Sequence, residues 1–211
     1  MRVSQNELTG LCRRAFEGLG FPPGDHEDAA DMVVWLEQHG LGGVDTLRWA
    51  LTRLTSEPRN AMKRSFEDSS LGVIDATGNS ILLCGSLAAD LAYAKARRKG
   101  LSVVKVHDCY NRKLMMGYLA RCARRGMNLM AFWRNSEDPV VVEQVVSIRA
   151  YEDYPTLLLY QIEDEDDTLT RNRSVTLIAS PHFSMLQSLH PDPDAATLLQ
   201  VVRPEDFERQ S

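Results

Sequence analysis

The sequence predicts an α/β (α+β) protein in which N-terminal helices are followed by a mixed β-sheet with helices packed on it, and in which the C-terminal strands are antiparallel. Three observations carry this expectation. Apolar residues recur at helical spacing through the first quarter of the chain, strand-like and helix-like segments alternate from Leu71 to Trp133, and the remainder holds short strand-like runs joined by polar turns. With 211 residues, 44% of them hydrophobic and 25% charged, the chain is long enough to bury one sizeable core or two small ones.

Ser4 and Glu7 form a capping-box pattern ahead of Leu8, Leu11, Cys12, Ala15, Phe16 and Leu19, which predicts a first helix closing at Gly20. After Pro22-Pro23-Gly24, the acids Asp25, Glu27 and Asp28 favour the positive end of a second helix, whose Ala29, Met32, Val33 and Leu36 share one face before Gly40 stops it. A third helix, with Asp45 as its N-cap, carries Leu47, Leu51 and Leu54. Residues 1–56 thus read as an N-terminal helical segment. Residues 57–68 lack a sustained period, contain Pro58 and read as a connecting loop, which leaves 69–211 as the mixed-sheet region.

Within that region Leu71 to Asp75 and Ile81 to Cys84 look like strands around a Thr77-Gly78-Asn79 turn, with Ser86 capping a helix that runs to Lys99. Leu101 to Val106 reads as a buried strand, Lys113 to Arg125 as a helix and Met127 to Trp133 as a further strand. If these strands are parallel neighbours, their crossovers should be right-handed. Val140 to Arg149, Thr156 to Ile162 and Ser174 to Ala179 read as three successive strands, for which antiparallel pairing is the usual outcome. Ala195 to Val202 fits a short helix or an edge strand equally well.

A formal net charge of -5 argues against a general nucleic-acid binder, which needs a basic excess to neutralise phosphates. Cys12, Cys84, Cys109 and Cys122 lie at no metal-ligand spacing and read as reduced residues, and no metal site is expected. The N-terminus lacks a basic start followed by an apolar core, and no apolar run approaches the roughly 20 residues that span a bilayer. A cytoplasmic protein without membrane contact is therefore expected.

The strongest site candidate drawn from residues alone is His107-Asp108-Cys109-Tyr110-Asn111-Arg112, which follows a strand and leads into a helix. Ligands of open α/β sheets gather at that edge, and a helix N-terminus beside an arginine suits a carboxylate or phosphate. The competing view makes His107 a hydrogen-bonded loop residue and Arg112 a solvated one. Cys109 near His107 also invites a thiolate nucleophile, although nothing in the sequence lowers its pKa. His39, beside the Gly-rich stretch that ends the second helix, is either a titrating group in a cleft or a satisfied, partly buried histidine. His182 and His190 read as loop residues. The acidic run Glu163 to Asp167 lacks the glycine turn of a calcium loop and reads as a solvated hairpin tip, while Arg97-Arg98-Lys99 and Arg124-Arg125 complement helix dipoles.

Several of these motifs together resemble the malate/L-lactate dehydrogenases of the second, non-Rossmann type. That family carries a Gly-Ile-Asp-Ser-His-Gly-x-x-Arg segment after its opening helices, whose histidine is the acid/base for a 2-hydroxy acid and whose arginine helps bind the carboxylate. Laid on Gly40-Leu41-Gly42-Gly43-Val44-Asp45-Thr46-Leu47-Arg48, the pattern keeps Gly40 and Arg48 but places Val44 where the histidine stands. Lys99-Gly100-Leu101 to Val106 is similar to the family's next strand, and Asn111, Gly117 and Tyr118 keep the spacing of its Asn-His-x-Gly-x-x-Gly-Tyr cofactor loop, with Arg112 for the histidine and Leu114 for the middle glycine. Arg125-Gly126-Met127 to Met130 and Asn135-Ser136 continue the likeness, which then fades. The chain resembles a bacterial protein family of unknown function that is a reduced relative of those dehydrogenases.

The resemblance implies a homodimer and an NAD(P) site, the latter disturbed at Arg112 and Leu114. Valine cannot exchange a proton, so coupled hydride and proton transfer loses its partner at position 44, and the reading leans away from an enzyme. The expected function is binding of a small anion or nucleotide, with Arg48, Asn111 and Arg112 as contacts. Two other readings stay open: an active NAD(P)-dependent oxidoreductase whose acid/base role has moved to His39 or His107, and a ligand-free assembly or regulatory partner.

Overall fold

A computed structural model of the chain describes residues 3–56, 60–133, 144–149, 156–160, 173–182 and 200–202. Three helices come first, α1 (Gln5–Gly18), α2 (Asp25–Gln38) and α3 (Gly43–Ser56). The capping box forms as the sequence predicts: Ser4 Oγ accepts from the Glu7 amide at 3.3 Å, and Glu7 Oε2 accepts from the Ser4 amide at 2.9 Å. These bonds hold the Glu7 carboxyl below its ordinary range. Helix α1 buries one stripe, Cys12 and Phe16, and Phe16 meets Phe21 at 5.0 Å between ring centres. Helix α2 is different. Ala29, Ala30 and the run Met32 to Leu36 are all buried, because α1 and α3 flank it while it also packs on two helices of the sheet region. The single face expected from its sequence is therefore too narrow. Helix α3 begins at Gly43, ahead of the expected Asp45 cap; Glu37 accepts from the Val44 amide at 2.9 Å and so supplies the cap from α2.

Part of the expected connecting loop is a strand. β1 (Lys63–Glu67) pairs antiparallel with β2 (Leu71–Asp75), with a bulge between Arg64 and Phe66. All five β1 residues are exposed, so the strand follows from backbone pairing at the sheet edge and leaves no apolar alternation to read. The turn between β1 and β2 is anchored from below by Lys95, a buried side chain whose ammonium lies 3.0 Å from Glu67 and also donates to the Asp68 carbonyl.

The predicted strand at Ile81 to Cys84 is instead the first turn of α4 (Ile81–Lys99). Its cap is Ser80, not Ser86: Ser80 Oγ accepts from the Leu82 amide at 3.3 Å. A short apolar run does not separate a buried strand from a buried helix turn, and here the cap decides. The chain continues through β3 (Ser102–His107), a 3-10 turn at Arg112–Leu114, α5 (Met115–Ala123), β4 (Asn128–Trp133), β5 (Gln144–Arg149), β6 (Thr156–Tyr160), β7 (Val175–Ser180) and β8 (Gln200–Val202).

Among the described residues the strands form one mixed sheet in the order β1-β2-β3-β7-β4-β5-β6-β8. β2 and β3 pair in parallel across the α4 crossover. β7 inserts antiparallel to both β3 and β4, so the C-terminal strands are antiparallel as expected but not ordered by succession. β6 pairs with β5 and β8, which makes Gln200–Val202 an edge strand; residues 140–143, 161–162 and 195–199 of the predicted elements lie outside the described residues. Helices α4 and α5 cover one face of the sheet, where Ile74, Val104, Val106, Leu129, Ala131, Val175 and Leu177 are buried in the main core. On the other face Met130 packs with Leu101, Phe132 and Ile178 in a separate small cluster.

Candidate functional site

The carboxyl ends of the parallel strands β2 and β3 lie side by side, Asp75 opposite His107. Two loops leave from there and are laced together. The Ala76 amide donates to the His107 carbonyl at 2.8 Å, Gly78 to Asp108 at 2.9 Å, Tyr110 to Asn79 at 3.1 Å and Ile81 back to Tyr110 at 2.8 Å. The first loop turns through Thr77 (φ 51) and Gly78 (φ 79), closed by the Asn79 amide on the Ala76 carbonyl at 3.0 Å. A threonine at positive φ is uncommon, and its neighbours hold it: Asp75 accepts from its amide at 2.8 Å, and Asn60 donates to its carbonyl at 3.1 Å. The second loop contains Asp108 (φ 49) and Asn111 (φ 59). Every positive-φ residue other than glycine among the described residues thus sits at this one edge, a concentration typical of binding and catalytic loops.

Tyr110 is the hub of the second loop. The guanidinium carbon of Arg53, from α3, lies 4.0 Å from its ring centre, and that of Arg173, just before β7, lies at 4.4 Å. Arg173 also pairs with Asp108 at 2.8 Å, and its carbonyl accepts from the Cys109 amide at 2.8 Å. Helix α3 packs on the 112–114 turn as well, so the Gly-rich elbow and the His107 to Arg112 loop belong to one region.

The residues proposed from sequence fall unevenly within it. Arg48 is exposed on α3, and among the described residues it has no carboxylate partner. Arg112 has 0% of its surface exposed, which corrects the view of it as a solvated residue; the 3-10 turn folds it and Leu114 inward among α2, α3 and α4. Asn111, in left-handed conformation, starts that turn, and its carbonyl accepts from the Leu114 amide at 3.0 Å. His107 is half-buried, with Nδ1 3.1 Å from Ser174 Oγ. Desolvation and the nearby Lys105 lower its pKa, against a smaller opposing pull from Asp75.

His39 terminates α2, its Nδ1 2.7 Å from the Trp35 carbonyl and its ring stacked on Trp35 at 4.1 Å. Burial lowers its pKa against the opposing bond to the Trp35 carbonyl, with help from Arg124, so both histidines are shifted toward the neutral form. The thiolate idea for Cys109 fails, since the side chain is fully buried. All four cysteines are buried and outside any disulfide, and burial pushes the Cys84 thiol up to about 12 and the Cys122 thiol up to about 11. Arg125 does more than complement a dipole: it pairs with Asp90 at 2.7 Å and stacks on Tyr93 at 3.9 Å.

The elbow turns at Gly40 and Gly42, both at φ 65, and brings α3 against α2 so closely that a Cβ on Gly43 would stand 2.0 Å from the Val33 carbonyl oxygen. Val44, which the resemblance matches to the histidine of the dehydrogenase segment, is 43% exposed. Sequence reasoning missed Arg53, Tyr110 as a hub, and Arg173. Arg53 lies one turn beyond Trp49 on the helix that carries Arg48, which was a signal; Arg173 is joined to the loop only by folding.

Among the described residues no helix is long and apolar enough to cross a membrane, and no group of three or more His, Cys, Asp or Glu is placed to hold a metal ion. Residues 3–91 match the model of a family described as "Protein of unknown function (DUF3726)". No curated protein matches the chain. Solved structures do. A malate dehydrogenase from Pyrococcus horikoshii is 15% identical with a TM-score of 0.70, over 99% of this chain and 88% of that one. The sulfolactate dehydrogenase from Methanocaldococcus jannaschii is 13% identical with a TM-score of 0.67, over 100% and 90%. The delta1-piperideine-2-carboxylate reductase from Pseudomonas syringae is 12% identical with a TM-score of 0.68, over 100% and 94%. On a sequence whose N-terminal part matches a family of unknown function, the chain carries the fold of the malate, lactate and sulfolactate dehydrogenases.

Proposed function

We propose that this chain keeps a dehydrogenase-like scaffold without proton-coupled hydride transfer, and that it binds a small organic anion beside the elbow. One observation carries the reading: Val44 is exposed at the position of the acid/base histidine, and one turn on, Arg48 offers its charge with no carboxylate partner among the described residues. Arg48 is the direct contact in this reading. Asn111 and the fully buried Arg112 support the surface from the adjoining turn.

The residues at the family's cofactor loop do not fit a dinucleotide. Leu114 fills the place of a glycine and is fully buried, and a Cβ on Gly117 would meet Met32 Sδ at 2.5 Å, so that glycine serves the packing of α5 on α2. The first amide of α4, which would face a phosphate in a helix N-terminal site, donates to the Tyr110 carbonyl instead. Calorimetric titration with NADH, NADPH, pyruvate and oxaloacetate tests the reading. The expected result is carboxylate binding that weakens in Arg48→Gln, with no binding of either dinucleotide; saturable NADH binding would overturn it. The resemblance also leads us to expect a homodimer, which light scattering checks.

A second reading is an active oxidoreductase with its acid/base role moved to His107. It is favoured by the half-buried, neutral imidazole opposite Asp75 at the carboxyl edge of β3. Substrate-dependent NAD(P)H oxidation abolished by His107→Gln would establish it. Co-purification of a partner without any anion binding would point instead to an assembly role.

A further inference from the structure

We propose that Arg53, held over the ring of Tyr110, and Trp49, one turn earlier on α3, form a site for an organic anion that joins a carboxylate to a planar unsaturated body. The proposal rests on the anion-binding reading above and adds Arg53 to Arg48 as a contact, the one that selects an unsaturated body.

The first element is charge. Arg53 and Arg173 both lie over the ring of Tyr110, at 4.0 Å and 4.4 Å, so the two guanidinium groups stand within about one Debye length of each other. Asp108 neutralises Arg173 at 2.8 Å. Arg53 has no such partner among the described residues and is half-buried, which leaves one of these two cations uncompensated there. A guanidinium stacked on an aromatic ring keeps its N–H edges free, and those edges match the two oxygens of a carboxylate. The stacking also fixes the orientation of the fork before any anion arrives.

The second element is apolar. Trp49 precedes Arg53 by four residues on α3 and so occupies the same helix face about 6 Å away. It is 64% exposed, whereas Trp35 and Trp133 are buried. A planar ligand body covering the indole would remove apolar surface from water while its carboxylate reaches Arg53. The third element is the platform. Thr77, Asp108 and Asn111 hold positive φ in the two laced loops around Tyr110, so the ring that orients Arg53 is fixed by backbone bonds at its own amide and carbonyl.

Benzoate, acetate and benzyl alcohol serve as probes, titrated by calorimetry and by tryptophan fluorescence, for which Trp49 is the exposed reporter. Benzoate should bind saturably and perturb the fluorescence, acetate should bind about tenfold more weakly, and benzyl alcohol should not bind. Arg53→Gln should weaken benzoate about tenfold with an unchanged melting temperature, and Arg53→Lys should fall between. Trp49→Gln, an exposed substitution that keeps the fold testable if Arg53→Gln lowers the melting temperature, should bring benzoate down to the affinity of acetate.

Benzoate binding retained in Arg53→Gln, or equal binding of acetate and benzoate, would overturn the proposal. Loss in Arg48→Gln with full retention in Arg53→Gln would overturn it while leaving the broader anion reading intact. Failure of wild-type protein to bind any carboxylate would remove both.

Discussion

The two places where the chain departs from the dehydrogenase pattern have opposite surroundings. Val44, in place of the acid/base histidine, is exposed on the first turn of α3, whereas Arg112 and Leu114, in place of the cofactor-loop histidine and glycine, are fully buried. The first is a surface position, where Val44 is 43% exposed. At the second, the substituted residues have become part of the core where α2, α3 and α4 meet the 3-10 turn. A surface change is reversible at little cost in stability, and a core change is not. The α3 side, with Arg48 and Trp49 exposed, is therefore the accessible one for the proposed anion, and the buried loop below is not.

The buried departure gives the largest expected effect. Leu114→Gly, which restores the residue type of the pattern, removes a fully buried side chain and leaves a cavity, and should cost about 4 kcal/mol of unfolding free energy. A urea titration reads this as a shift in midpoint at unchanged slope. A loss under 1 kcal/mol, on the order of an exposed substitution, would mean that the loop is not packed as core and would erase the contrast.

Gly43→Ala ranks next, at about 3 kcal/mol. Its added methyl would stand 2.0 Å from the Val33 carbonyl oxygen and 2.7 Å from the Glu37 nitrogen, both backbone atoms that cannot swing aside. The consequence differs from that at Leu114, because α3 must move off α2 and carry Arg48 and Arg53 with it. Gly43→Ala should thus weaken carboxylate binding as well as stability, while Leu114→Gly acts chiefly on stability. Calorimetry on both variants, below their melting temperatures, separates the two effects.

How much of this was legible in the sequence follows the range of the interactions. Ser4 with Glu7, and Gly40 with Gly42, act within a few residues, so α1 and the elbow could be read directly. The Ile81 start of α4 could not, because Ser80 and the Tyr110 carbonyl decide it and the latter lies across the sheet edge. β1 has no apolar alternation because both its faces meet water, and it exists through its pairing with β2. The place of β7 between β3 and β4 is wholly non-local. The same holds for the site. The motif positions Arg48 and Asn111 stood out in sequence, but the burial of Arg112 and the sharing of Tyr110 by Arg53 and Arg173 depend on how three distant segments meet.

A smaller effect comes from pH at the border between the exposed and buried regions. His39, with an ordinary value of 6.5, is lowered by burial in the folded chain, so between that lowered value and 6.5 the unfolded chain binds a proton that the native chain does not. Its contribution is fully present above pH 6.5 and is lost as pH falls through the folded value. His39→Gln, which can still meet the Trp35 carbonyl, should flatten the decline in melting temperature between about pH 7 and pH 5. An unchanged decline would place His39 in water rather than against Trp35.

Val44→His is expected to do least to stability and most to sharpen the comparison. At an exposed position the change should stay within about 0.5 kcal/mol, since no packing contact is lost that water cannot replace. The imidazole would stand one turn before Arg48, which restores the acid/base and carboxylate-binding pair of the pattern on α3. Proton transfer alone is insufficient, because the buried Leu114 and the packed Gly117 still occupy the loop that a dinucleotide would approach. The variant should therefore bind carboxylates as the parent does and show no NADH oxidation with pyruvate or oxaloacetate, followed by the absorbance of the reduced nicotinamide. If instead Val44→His oxidises NADH with a 2-oxo acid, the buried departure is the lesser of the two. The reaction would then have been lost at the surface, by the removal of one proton carrier.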